Sequence, residues 1–186
     1  MGGMRYYSTN DKTERVSFET ALMRGLASNY GLYMIGRADI PKLESSSIKA
    51  MRDLSYARIA FSILNPFLKD EIDPQDLETL LEDAYDDRII PTTVQHVTGE
   101  THIMWLSQGP TCSFKDYAAR FFARILNYFL KRSGCRRVVV VATSGDTGGA
   151  VADALHNQER VDNLVFFPKG SITERQRRQM TTLQDN

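Results

Sequence analysis

Cysteine is scarce in this 186-residue chain. Its two residues, Cys112 and Cys135, fit neither a CxxC pair nor a zinc-ligand spacing. A disulfide scaffold is therefore excluded, and a reducing, cytoplasmic setting is expected. Charge of one sign is also missing: 23 Lys and Arg balance 23 Asp and Glu. Nothing marks a nucleic-acid partner or an acidic membrane surface. The longest apolar run, Val138 to Ala142, is far too short to span a bilayer, and no apolar signal region opens the chain. His96, His102 and His156 are scattered without a recognisable ligand pattern, so surface or structural roles and no metal are expected. Internal repeats and low-complexity linkers are absent as well. Met1-Gly2-Gly3 ahead of Met4 reads as a leader, and Tyr6 stands where a myristoylation signal wants Ser or Thr.

What remains is an ordinary globular composition, 42% hydrophobic and 25% charged, enough to bury a core. Residues 1–88 read as a mainly helical N-terminal part. Met4 to Asn10 and Gly31 to Ile35 are β-prone. Ser17 caps a helix to Ala27, and Ile40-Pro41 forces an extended connector. The apolar pattern from Ser47 to Leu64 predicts one long helix stopped at Asn65-Pro66, and Asp73-Pro74 opens another. The acidic face of that second helix, Glu78, Glu82, Asp83 and Asp86, reads as a wet surface.

Residues 89–186 read as an α/β domain. A hairpin is expected about Thr98-Gly99-Glu100, then a long amphipathic helix after Lys115 that ends at Gly134. Val138 to Ala142 has the β-branched run of a strand covered on both faces. A glycine-rich turn, Thr143 to Gly149, leads into a helix at about Ala150. A strand at Leu164 to Phe167 and a last helix, Ile172 to Leu183 capped by Ser171, complete the alternation. The fold class is α/β: helices, then part of a mainly parallel three-layer αβα sheet. The sheet reads as unfinished where the chain stops, and its unpaired edges suggest self-association.

Two stretches carry chemistry. In Gly109 to Arg120, GPTCSFKDYAAR, Lys115 sits at a helix N-terminus, where the macrodipole disfavours a cation. Free lysine titrates near ~10.4, so an amine needs burial or nearby positive charge to act as a nucleophile at neutral pH. In Ser144 to Gly149, SGDTGG, glycines let backbone N–H groups approach an anion at the start of the next helix. That turn is neither a P-loop nor a dinucleotide fingerprint. A reactive lysine and an anion cradle together suit a carbonyl cofactor acting on an amino acid. Arg120 and Arg124 read as facing water or a partner domain, Cys112 as a small buried filler, and Lys169, on the ligand-facing side of a strand end, as either a phosphate contact or a solvated lysine.

GPTCSFKDYAARFFAR followed by VVVVATSGDTGGAVADAL resembles threonine synthase, a fold-type-II pyridoxal-phosphate enzyme. YYSTN, SFETALMRGLA, GLYMI, IPKL and FFPKGSITERQRRQM extend the resemblance over nearly the whole chain. It implies conversion of O-phospho-L-homoserine and water into L-threonine and phosphate. It further implies that Lys115 holds pyridoxal phosphate as an aldimine and moves protons, with Phe114 walling its pocket. Ser144, Gly145 and Thr147 would take the substrate carboxylate, and Asp146 would approach the cofactor ring. The resemblance stops at the family's N-terminal half. The glycine-rich loop for the cofactor phosphate is not in this sequence, so the chain is expected to be a fragment, inactive by itself. Two positions depart from the pattern. Gln108 stands where one version of the family has histidine, and Asp146 where many of the wider fold have asparagine. An acid beside a carboxylate is repelled, so Asp146 is expected to be protonated or to point away. A related phospholyase acting on another phosphorylated amine or amino acid, and a non-catalytic self-associating fragment, are the alternatives.

Overall fold

The computed structural model describes residues 3–184. The leader reading at Met1-Gly2 and the chain end at Asp185-Asn186 lie outside them. Two compact units make up the chain, Met1–Leu81 and Glu82–Asn186.

The first unit carries an antiparallel sheet of β1 (Tyr6–Ser8), β2 (Asp11–Val16) and β3 (Tyr33–Ile35), with β1 central. Strand β2, DKTERV, was not anticipated: Asp11, Lys12, Glu14 and Arg15 put charge on both faces and leave no apolar alternation to read. Helix α1 (Phe18–Arg24) starts at Ser17, whose hydroxyl accepts the Thr20 N–H as expected. A second cap comes from far along the chain. The Glu71 carboxylate accepts the N–H groups of Phe18 and Glu19 at 2.7 and 2.9 Å. Burial, reinforced by Glu71, pushes the nearby Tyr6 phenol up to about 12.

The single helix expected over 47–64 is two, α2 (Ser45–Ala50) and α3 (Tyr56–Leu68). Ser55 breaks the run because its hydroxyl caps a new start, accepting from Arg58 N–H. Pro66, expected as a stop, lies inside the last turn of α3, where a missing N–H forfeits only one bond. Helix α4 (Pro74–Ala84) begins as its sequence demands: Asp73 accepts the Gln75 N–H at 2.9 Å, and Leu77, Leu81 and Ala84 are fully buried.

The second unit opens with the expected hairpin, β4 (Thr93–Thr98) and β5 (Thr101–Trp105), exposed along both strands. Two of the histidines are not scattered after all. His96 and His102 are register partners with ring centroids 5.1 Å apart, a pairing visible only once the hairpin is closed. Helix α5 (Lys115–Ser133) ends at Gly134, whose φ of 69° gives the left-handed cap predicted for it. Ala119, Ala123, Leu126, Phe129 and Leu130 form its buried stripe.

Arg120 and Arg124 do not face water. Arg120 is buried and donates from Nε to Ala84 O at 2.7 Å and from Nη2 to Asp83 O at 3.0 Å. It thereby satisfies two carbonyls at the end of α4 that the helix cannot satisfy itself. Burial, then Arg124, pulls its guanidinium below the ordinary arginine value. Arg124 pairs with Asp83 at 2.8 Å, so that end of the acidic face is ion-paired rather than simply wet.

Strands β6 (Arg137–Ala142) and β7 (Val161–Phe166) run parallel, in register from Arg137 opposite Val161 to Ala142 opposite Phe166. Between them lies α6 (Asp146–Leu155). The expected double covering is not met. One face keeps Val138, Val140, Leu164 and Phe166 open, at 57%, 61%, 49% and 57% exposure, because only the opposite face has a helix against it. The last helix, α7 (Glu174–Thr181), starts later than expected and is capped by Thr173, not Ser171. Thr173 and Gln176 form a capping box, the pattern T-x-x-Q. The α/β class expected from the sequence is the observed one.

Candidate active site

The lysine loop is built from the inside by an acid. Asp116, 1% exposed, accepts Thr111 N–H at 3.0 Å and the Thr111 hydroxyl at 2.5 Å. Gly109 lets the chain pass this carboxylate: a Cβ there would lie 3.0 Å from the Asp116 Cβ. Ser113 is buried and its hydroxyl accepts the Lys115 N–H at 3.3 Å. Cys112, expected as a buried filler, is exposed and held at φ 59° by the turn. A non-glycine residue there carries local strain. Lys115 follows as the first residue of α5, half-buried, its Nζ 4.3 Å from the centroid of the Phe114 ring. Phe114 is itself 63% exposed.

The glycine-rich turn begins with Thr143 rather than Ser144. The Thr143 hydroxyl accepts N–H bonds from Gly145 and Gly148, both at 3.1 Å, and fixes the strand-to-helix corner. Gly145 has φ 149°, which favours glycine. Asp146 and Thr147, read from sequence as loop, are the first helical residues of α6. Their N–H groups make no hydrogen bond among the described residues, as expected for the opening of a helix. A Cβ on Gly148 would overlap Thr143 Cγ2 and Met180 Sδ, so glycine permits the close packing of corner, β7 and α7.

The two stretches meet. Phe114, Lys115, Ala118, Ala119 and Phe122 from α5 and its start face Thr147 and Val151 of α6 across an open, mainly apolar groove of about 340 Å³. Of the residues singled out from sequence, Phe114, Lys115 and Thr147 line it, while Ser144, Gly145 and Asp146 form the adjoining turn. Lys169 is exposed in the loop after β7. Sequence reading passed over Thr143, Asp116, Gln176 and Gln179. Gln176 Nε2 donates to Asp146 Oδ1 at 2.8 Å, and Gln179 Nε2 to Thr111 O at 3.0 Å. The capping box marked Gln176 in the sequence. Nothing local marks the other three.

Among the described residues, no group of three or more His, Cys, Asp and Glu is placed to hold a metal. No helix there is long and apolar enough to cross a membrane.

A lysine at a helix start is thus faced across an apolar groove by the first turns of α6, which follow a glycine-rich corner at the carboxyl end of a parallel strand. A family model described as threonine synthase N terminus matches residues 5–85. The chain is 35% identical over 184 residues to the threonine synthase of Pseudomonas aeruginosa, covering 97% of this chain and 38% of that protein. It is 34% identical over 189 residues to threonine synthase-like 2 of Xenopus laevis, covering 98% and 39%. The crystal structure of threonine synthase from Brucella melitensis with bound pyridoxal phosphate superposes with a TM-score of 0.88 at 34% identity, over 96% of this chain and 39% of that one. The chain thus spans about two fifths of the length of the relatives it matches. It is homologous to the amino-terminal portion of the threonine synthases.

Proposed function

We propose that the whole protein is a threonine synthase, converting O-phospho-L-homoserine and water to L-threonine and phosphate with pyridoxal phosphate at Lys115. The observation that carries this reading is that Lys115 and Thr147, 32 positions apart in sequence, line one groove. The groove and its adjoining turn fit the cofactor's chemistry: an amine for its aldehyde, an apolar wall at Phe114 and Phe122, and N–H groups at Asp146 and Thr147 that are open among the described residues for an anion. When bound, pyridoxal phosphate supplies an electron sink for charge developing on the substrate. The chain's own residues do the rest. The Lys115 amine takes and returns protons at the substrate's α and β carbons. Ser144, Gly145 and Thr147 hold the substrate carboxylate, Asp146 offers its N–H on the cofactor side, and Phe114 walls one side of the lysine's pocket.

Residues 1–186 by themselves bind the cofactor weakly and turn over no substrate in this reading. A cytoplasmic location belongs to it too, supported by two free, exposed thiols. The test is release of phosphate and threonine from O-phospho-L-homoserine by the full-length protein. The wild type should release both, and Lys115→Ala neither. Phosphate release without threonine, or from another phosphorylated amine only, favours the second reading, a related phospholyase, which the similarity to threonine synthase-like 2 supports. Self-association of the 186-residue chain is a further part of the proposal, supported by the open face of β6 and β7. Strictly monomeric sedimentation at high concentration would count against it.

A further inference from the structure

We infer that Gln176 is a positioning residue that holds the Asp146 carboxylate onto α7, so that a turn carrying an acid can still receive a substrate carboxylate. The inference rests on the reading of Ser144 to Thr147 as the carboxylate site. An acid at the first helical position is favourable for the helix but competes for the same N–H groups that a bound anion needs. In this structure the competition is removed by a specific bond. Gln176 Nε2 donates to Asp146 Oδ1 at 2.8 Å.

The orientation of that amide is not free. Gln176 Oε1 accepts from the Thr173 N–H and the Thr173 hydroxyl, both at 3.0 Å, while Gln176 N–H returns a bond to the Thr173 hydroxyl at 3.3 Å. With the amide oxygen occupied by the cap, the NH2 group is the end presented to Asp146. Gly145 makes room for it: a Cβ at that position would overlap the Gln176 amide. Three residues further on, Gln179 donates to Thr111 O in the lysine loop at 3.0 Å. The helix that restrains Asp146 is therefore tied to the loop that presents Lys115. Meanwhile the N–H groups of Asp146 and Thr147 make no bond among the described residues and remain available to a ligand.

If Gln176 works by restraining a charge, its importance must vanish when the charge does. The test is a double-mutant cycle in the full-length protein loaded with pyridoxal phosphate, measuring L-threonine affinity by calorimetry for wild type, Gln176→Ala, Asp146→Asn and the double variant. Gln176→Ala is expected to weaken binding about tenfold, the worth of one charge-assisted hydrogen bond, with no loss when Asp146→Asn is already present. Gln176→Glu combined with Asp146→Asn reverses donor and acceptor and should restore wild-type affinity, whereas Gln176→Glu alone should be worse than Gln176→Ala. In the cofactor-free protein, Gln176→Ala should slow amide exchange at Asp146 and Thr147, because the released carboxylate takes those N–H groups, and the donor-acceptor reversal should speed it again. Equal losses with and without Asp146→Asn would overturn the inference and leave Gln176 a shaping residue only. Failure of every protein, wild type included, to bind L-threonine would instead overturn the carboxylate site itself.

Discussion

The carboxylate of Asp116 takes both the N–H and the hydroxyl of Thr111, five residues back, closing the lysine loop onto the first turn of the helix that Lys115 begins. This buried pair, with no water-facing substitute, sets where the lysine stands. Asp116→Ala strands two buried Thr111 donors and is expected to cost about 2–4 kcal/mol. Thr111→Val should cost less, about 1–3 kcal/mol, since one N–H bond survives. Urea denaturation followed by circular dichroism checks both; an unchanged midpoint for Asp116→Ala would refute the anchoring role.

Arg120 makes a second prediction. Its guanidinium closes Asp83 O and Ala84 O, so Arg120→Met exchanges a buried charge for packing but leaves two carbonyls open. The expected destabilisation is about 2–4 kcal/mol. Arg120→Lys should not rescue it, because an ammonium lacks the fork that reaches both carbonyls. Thermal melts of the three proteins decide the point.

Gly148 sits inside α6, where a change to alanine ordinarily gains up to about 1 kcal/mol of helix propensity. Here the added methyl meets Thr143 Cγ2 and Met180 Sδ, with Val165 Cγ1 at 3.1 Å. Overpacking of this kind costs about 1–3 kcal/mol, so the net effect of Gly148→Ala should be a loss. A gain in denaturation midpoint would mean that the corner yields more readily than the structure shows.

Much of this was legible in the residues. Lys115 at a helix start, the left-handed Gly134, the Asp73-Pro74 opening and the hairpin about Gly99 are local signals, set by capping and turn chemistry within a few positions. What escaped notice depends on distant partners. Glu71 caps α1 from 53 positions away, and Arg120 reaches a carbonyl 36 positions back. Such bonds leave no periodicity. Charged residues on an amphipathic helix read as solvated by default, and β2 was hidden because its polar side chains never enter a core. The candidate site residues Lys115 and Thr147 carry local sequence signals, whereas Thr143, Asp116 and Gln179, which hold their loops, act through partners that only the folded chain brings together.

Asp153 gives a pH dependence. Burial, and then Asp116, raises its carboxyl above 3.8 in the folded protein, with Arg120 only partly opposing them. A raised folded-state value means the native state binds the proton more tightly than the unfolded chain. Stability contributed by this group is therefore present at low pH and lost as pH rises from the unfolded value through the folded one. Asp153→Asn should be more stable than wild type at neutral pH, and the difference should shrink as pH falls toward 3.8. Urea midpoints at a series of pH values test the sign, and a constant difference across the series would exclude the linkage.

Trp105 is the single tryptophan of the chain, and it lies on the open hairpin at 41% exposure, its indole N–H bonded to Gln95. Selectively excited tryptophan emission consequently reports on β4 and β5 and not on the packed helices. The indole is already partly wet in the native protein, so its emission should be red-shifted from the outset and change little when the core melts. An optical probe that is usually taken as a global unfolding signal is, in this molecule, a local one. Far-ultraviolet dichroism is the observable that follows the helices carrying Lys115 and Thr147.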